Sequence, residues 1–193
     1  PNGGPTGAAC PRNAHAARCE PGARTAQPLR QGEDDRPHDS DQEHERDYLK
    51  GEEGLGKDQI SFEVSSATDY PLYSNANKHY DLIAFFDCLH DLGDPVGAAS
   101  HALKSLKRDG TVMIVEPFAN DRVEDNFNPL GRLFYAASAM ACVPGSMACN
   151  GPALGAQAGE TKIREVVMAG GFKQFRRATQ TPFNIVYEAL APK

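Results

Sequence analysis

The chain has no excess of positive charge: 20 Lys and Arg stand against 26 Asp and Glu in 193 residues, a formal net charge of −6. Nucleic-acid binding relies on neutralising phosphates, and without a basic stripe no nucleic-acid partner is expected. No run of about twenty apolar residues occurs, so no membrane-spanning helix is expected. The N-terminus has no apolar signal core, which makes the cytoplasm the expected location. The five cysteines are odd in number and lack a disulfide-framework spacing. Cys88 and Cys142 read as reduced, packed thiols. Large apolar side chains are scarce in 1–58, where only Leu29, Tyr48, Leu49 and Leu55 occur. Such a tract cannot offset the entropy of ordering it, so residues 1–58 are expected to be disordered or unrelated to the fold. Residues 59–193 are left as one small domain.

What is present concentrates between Tyr80 and Pro117. Tyr80–Phe86 is a nearly continuous apolar run, expected as a strand buried on both faces of a parallel sheet. A polar corner with Asp87, His90, Asp91 and Asp94 follows. Asp94-Pro95 starts a helix, with the aspartate as N-cap and proline at the first helical position. Val96, Ala99, Leu103 and Leu106 recur on one helical face. Lys104, Lys107 and Arg108 suit the last turn and its dipole. Asp109-Gly110 then reads as a turn into the strand Thr111–Val115, ending at Glu116-Pro117. This is a βαβ unit with a right-handed crossover. Ligands of such sheets bind beyond the carboxyl ends of the strands, where Asp87–Asp94 and Glu116 fall.

Around this unit, Gln59–Ser65 alternates Ile60, Phe62 and Val64 as a strand and leads into Ser66–Pro71. Pro129 opens a helix with Leu130, Leu133, Phe134, Ala137, Met140 and Ala141 on one side, read chiefly as core. Six glycines and prolines make 144–159 a loop. Glu160–Ala169 is a third helix, with Ile163, Val166 and Val167 inward and Gly170-Gly171 as its stop. Phe172–Gln180 and Phe183–Leu190 form a terminal hairpin through Thr181-Pro182. Two motif readings fail on context. Cys10, His15, Cys19 and His38 match no zinc-finger spacing. GEEGLGKD has neither a preceding strand nor the Gly-Lys-Ser/Thr ending of a phosphate loop. His90, Asp91 and Asp94 could hold a divalent metal, but Asp94 is more simply the helix cap, so no metal is expected.

Four stretches in this order, DQISFEVSSATDYP, YDLIAFFDCLHDLGDP, LKRDGTVMIVEP and GGFKQFRRATQTPFNIVYEA, resemble the C-terminal half of class I S-adenosylmethionine-dependent methyltransferases. The resemblance covers about Gly51 to Ala191. It implies an α/β fold, a partial Rossmann-like methyltransferase sheet of parallel strands closed by an antiparallel hairpin. It implies S-adenosyl-L-methionine as cofactor, with Thr68, Asp69 and Tyr70 at the adenine and Phe86 and Asp87 along the methionine. Leu-His-Asp-Leu at 89–92 is similar to the His-Asp-Trp of small-molecule O-methyltransferases, although Leu92 replaces the tryptophan. By that likeness His90 is the catalytic base and Glu116 the acid that orients it. His90 as a corner cap and Glu116 as a loop anchor stay open as plainer readings.

The family's first strand carries an Asp-x-Gly-x-Gly turn, and its second ends in a ribose-binding acid; residues 1–58 contain neither pattern. Two functions therefore follow from different classes. One is an S-adenosylmethionine-dependent methyltransferase domain, incomplete, acting on a small-molecule acceptor. The other is a non-catalytic remnant that binds partners through an open sheet edge. A homodimer partner that supplies missing strands is a further expectation.

Overall fold

A computed structural model of the chain describes residues 65–70 and 80–192. The described residues belong to one compact unit. The segment 1–58 and all but Ser65 of the strand expected at Gln59–Ser65 lie outside them.

The chain enters the sheet through β1, Tyr80–Phe86. A one-turn 3-10 helix, Leu89–Asp91, leads to α1, Pro95–Ser105, and to β2, Leu106–Pro117. A short 3-10 turn at Val123–Asn126 precedes α2, Pro129–Ala137. A π-helical turn, Ser138–Cys142, runs on into α3, Val143–Ala148. After α4, Gly159–Ala169, the hairpin of β3, Gln174–Gln180, and β4, Asn184–Leu190, closes the fold. The four strands lie in the order β1-β2-β4-β3, with β1 and β2 parallel and both remaining pairs antiparallel. This is the expected combination of a parallel crossover and an antiparallel hairpin. The last strand in sequence inserts between β2 and β3.

Register puts one set of side chains on one face of the sheet. Ile83 and Phe85 pair with Val112 and Ile114. Those two pair in turn with Ala189 and Tyr187, while Glu116 pairs with Ile185. That face is buried, and α1 and α4 pack on it with Ala98, Ala99, Ala102, Ile163, Val166 and Val167. Phe175 stacks on Tyr187 with ring centroids 5.0 Å apart. Burial of this kind stabilises by about 25 cal/mol per Å² of apolar surface.

Several local expectations are corrected. β1 is not buried on both faces: Leu82 and Phe86 are 54% and 65% exposed. The strand is the edge of the described sheet, and α1 and α4 cover only the face of Ile83 and Phe85. The buried face of α1 is made of Pro95, Ala98, Ala99, Ala102 and Ser105, and Val96 is exposed. Small residues are required there because α4 ends directly against α1. A Cβ built on Gly170 would stand 2.6 Å from the Ala99 Cβ. Leu106 is the helix C-cap, so Lys107, Arg108 and Asp109-Gly110 belong to β2 and not to the helix and a turn. They form a bulge, since the partners of Tyr80 and Leu82 are Leu106 and Thr111.

The helix at Pro129 is not core either. Leu133 and Met140 are 59% and 78% exposed, and α2 buries only Gly131. The region 144–159 is not all loop, because the helical rod continues through Pro144 into α3. Proline removes an N–H and crowds the carbonyl four residues back. The wider π turn just before it accommodates that defect without ending the helix.

The caps agree with the reading of the sequence. Asp94 Oδ1 accepts the Gly97 N–H at 2.7 Å and Asn128 Oδ1 that of Gly131 at 2.9 Å, each with proline opening the helix. Helix α4 has no side-chain cap of its own. Asp121 reaches in from the loop after β2, taking the Thr161 N–H at 2.8 Å and its hydroxyl at 2.7 Å.

Candidate active site

The parallel pair β1–β2 brings two strand ends together, and the polar residues expected at the edge gather there. At the end of β1, Asp87 adopts a left-handed backbone, φ 46°. Its N–H still donates to the Val115 carbonyl at 2.8 Å. The chain turns back at once, into the 3-10 turn of Leu89, His90 and Asp91, whose Asp91 N–H returns to the Cys88 carbonyl at 3.0 Å. Leu89 is fully buried and anchors the turn, so the adjacent imidazole of His90 is carried inward and is 3% exposed.

Glu116 meets it from β2. This acid occupies the core face of its strand, one step beyond Ile114, and is 3% exposed. Both carboxylate oxygens are used. Oε1 accepts the Leu89 N–H at 3.1 Å, and Oε2 lies 2.5 Å from His90 Nδ1. An acceptor at Nδ1 places a proton on that nitrogen and turns Nε2 toward the other side of the ring. There Nε2 lies 3.1 Å from Asp91 Oδ1, and the Cys142 thiol is a further hydrogen-bond partner of His90.

The electrostatics follow from this enclosure. Burial disfavours the imidazolium, but the hydrogen bonds of the ring to Asp91, Cys142 and Glu116 outweigh it, and His90 is pushed up to about 12. Burial also raises the Glu116 carboxyl, with His90 opposing. The two directions describe one proton, held between carboxylate and ring to higher pH than a free imidazole would keep it. Cys88, beside the pair, is free and buried, and burial pushes its thiol up to about 12. It is therefore a packed thiol and not a nucleophile at neutral pH.

Phe86 and Asp87 are exposed at the same carboxyl edge. The Asp87 carboxylate accepts Asn184 Nδ2 at 3.0 Å from the start of β4. Thr68, Asp69 and Tyr70 are not brought to this edge. They lie in a turn closed by the Asp69 N–H to the Ser66 carbonyl at 3.0 Å. The Tyr70 ring packs against His101 and Tyr80, with centroids 4.2 and 6.1 Å away. Tyr80 is the first residue of β1, so Tyr70 packs beside the end of that strand opposite the carboxyl edge.

The sequence joins Asp91 to His90 only as part of a divalent-metal set with Asp94, and it gives no sign of Cys142 as a site residue. Cys142 stands more than fifty residues downstream, and only the π turn carries it to the imidazole. Both flanks of that turn are tied down by buried hydroxyls. Ser138 Oγ accepts the Ala156 N–H at 3.0 Å, and Ser146 Oγ donates to the Leu92 carbonyl at 2.9 Å. Asp94, considered as a metal ligand, is spent on capping α1.

Comparison with known proteins adds the context. Residues 10–143 match a family model described as a methyltransferase domain. No curated protein matches the chain. Among solved structures, an O-methyltransferase family protein from Burkholderia thailandensis is 18% identical with a TM-score of 0.52, over 77% of this chain and 40% of that one. PigF, solved with SAH, is 17% identical with a TM-score of 0.53, over 77% and 40%. Human N-acetylserotonin methyltransferase, solved with SAM, is 18% identical with a TM-score of 0.50, over 72% and 36%. At such identities the likeness is one of fold. The chain spans two-fifths or less of the length of these three structures.

Proposed function

The chain belongs to the methyltransferase-domain family, and from that premise we propose that it transfers a methyl group from S-adenosylmethionine to a hydroxyl of a small-molecule acceptor, with His90 as general base. The observation that carries this reading is the buried contact of His90 Nδ1 with Glu116, whose second oxygen is fixed by the Leu89 N–H. When bound, the cofactor supplies an electrophilic methyl group on a sulfonium. The carboxyl edge fits its methionine end. Phe86 offers an apolar ring that is 65% exposed, and the Asp87 carboxylate is held beside it by Asn184.

The chain's own residues account for the proton. An acceptor hydroxyl that displaces the Asp91 carboxylate from Nε2 meets a ring whose far nitrogen is already held. In the state that has released the pair's extra proton, the hydroxyl proton moves to Nε2, and Glu116 stabilises the imidazolium that forms. Glu116 is a positioning residue here: it sets the tautomer and the angle of the ring and touches no substrate. Because the pair retains its proton, the acid limb of kcat/KM is expected above the pH of an ordinary imidazole.

His90→Gln keeps a donor for Glu116 but cannot accept the proton. We expect kcat to fall by about a hundredfold to ten-thousandfold, the usual contribution of a general base. Affinity for S-adenosylhomocysteine, measured by calorimetry on the same variant, should stay within a factor of two or so of wild type. A parallel loss of binding and turnover would make His90 a structural residue and refute the assignment.

A further inference from the structure

The His90 ring has a second side, and the groups on it suit a ligand other than a proton. His90 Nε2, a carboxylate oxygen of Asp91 and the Sγ of Cys142 all lie within 4.8 Å of one another. The closest pair, Nε2 and Asp91 Oδ1, is 3.1 Å apart. Ligands of a tetrahedral zinc ion, bonded at about 2.0–2.3 Å, stand roughly 3.4–3.6 Å from each other. The cluster is therefore within a few tenths of an ångström to about one ångström of that arrangement. Nitrogen, oxygen and thiolate sulfur together form a donor set that zinc accepts and magnesium or calcium does not.

Two further observations point the same way. Metal-bound histidines almost always donate their other ring N–H to a carboxylate, a backbone carbonyl or a water, which fixes the tautomer and strengthens the ligand. Glu116 occupies that position on Nδ1, fully buried and held by the Leu89 N–H. The sulfur, moreover, is not delivered by a loose loop. It stands on a π turn braced at Ser138 and Ser146, a local geometry frequent at functional sites.

We propose that His90 Nε2, Asp91 and Cys142 form a binding site for one thiophilic divalent cation, zinc by preference, with a fourth position open. On binding, the Cys142 thiol and the protonated His90 ring each release a proton to solvent as the sulfur–metal and nitrogen–metal bonds form. The ion takes the nitrogen that the general base needs, so a bound cation switches the proposed methyl transfer off. That consequence rests on the function proposed above; the binding itself does not.

The test uses the full chain, purified metal-free with the Cys149 disulfide intact and Cys88 and Cys142 as free thiols, and cobalt(II) as the probe. One equivalent should produce a thiolate-to-cobalt charge-transfer band and the visible bands of a tetrahedral site, and zinc should displace it. Cys142→Ser should abolish the charge-transfer band, and both it and Asp91→Asn should weaken zinc binding by at least about tenfold, measured against a chromophoric chelator. Circular dichroism checks that both variants fold, and either one alone suffices. No thiolate band in the wild type overturns the proposal. So does a band that survives Cys142→Ser, which would place the ion on other cysteines of the chain. Zinc binding at this site with undiminished methyl transfer would keep the site and refute His90 as the base.

Discussion

Raising the pH from 6.5 to 8.5 should destabilise this fold, and the shared proton of His90 and Glu116 sets the size of the effect. The sign follows from linkage. His90 keeps its proton to a higher pH in the folded chain than the 6.5 of an unfolded histidine, and the Glu116 carboxyl is raised as well. A group with a raised folded pKa contributes stability that is fully present below the unfolded value and lost as pH climbs toward the folded one. Across this window the folded state binds about one proton more than the unfolded chain. One proton corresponds to about 1.4 kcal/mol per pH unit, which integrates to about 2 kcal/mol between pH 6.5 and 8.5. Cys88 and Tyr187, also raised by burial, start from 9.0 and 10.0 and stay silent below pH 8.5. The assay is urea unfolding by circular dichroism at half-unit pH steps, with a chelator present to keep the site free of metal. The reference is the double variant His90→Gln, Glu116→Gln, in which amides replace both partners. It removes the titrating pair and leaves the other five histidines of the chain unchanged. Wild type should lose about 2 kcal/mol more than the variant over the window. A wild-type stability that is flat or rises with pH, or two parallel curves, would refute the shared-proton account.

Two further outcomes test the packing. Gly170→Ala should destabilise by about 1–3 kcal/mol although its φ of −66° suits alanine, because the new methyl meets the Ala99 Cβ at 2.6 Å; Ala99→Gly in the same chain should recover part of that loss in a double-mutant cycle of chemical unfolding. Asp121→Ala should cost about 1 kcal/mol in thermal or urea unfolding at neutral pH, the usual effect of losing a helix cap, since among the described residues that carboxylate is the side-chain cap of α4.

Much of this architecture was legible wherever a local rule and the tertiary context agreed. Asp94-Pro95 and Gly170-Gly171 bound their helices because capping and helix stopping are decided within a few residues. The hairpin after Phe172 was legible for the same reason, with Thr181 Oγ1 closing its turn on the Asn184 N–H at 2.9 Å. The failures lie where distant elements decide. Leu82 and Phe86 look like core in a window of seven residues, yet burial depends on which sheet face receives a helix. Leu133 and Met140 repeat at helical spacing, but both are exposed, and Gly131 is the one fully buried residue of α2. Proline and glycine at 144–145 promised a loop, and the π turn, which has no sequence signature, let the helix continue. Cys142 was lost with it.

The His90–Glu116 pair was legible for a different reason: the chemistry of the residues is improbable where they stand. In β2 the alternation Val112, Ile114, Glu116 puts an acid on a face otherwise made of buried apolar side chains. Desolvating a carboxylate costs several kcal/mol, and its attraction to a buried partner seldom returns more than that. An apolar side chain opposite Ile185 would hold β2 and β4 together at least as well. The fold therefore has little need of Glu116 for stability, while the imidazole has a specific need of it. Without that carboxylate the ring could rotate, and Nε2 would have no fixed direction toward an acceptor hydroxyl or a metal ion. A buried acid at the carboxyl end of a parallel strand, with one oxygen on a backbone N–H and the other on a histidine, is the physical ground for proposing the edge as a site.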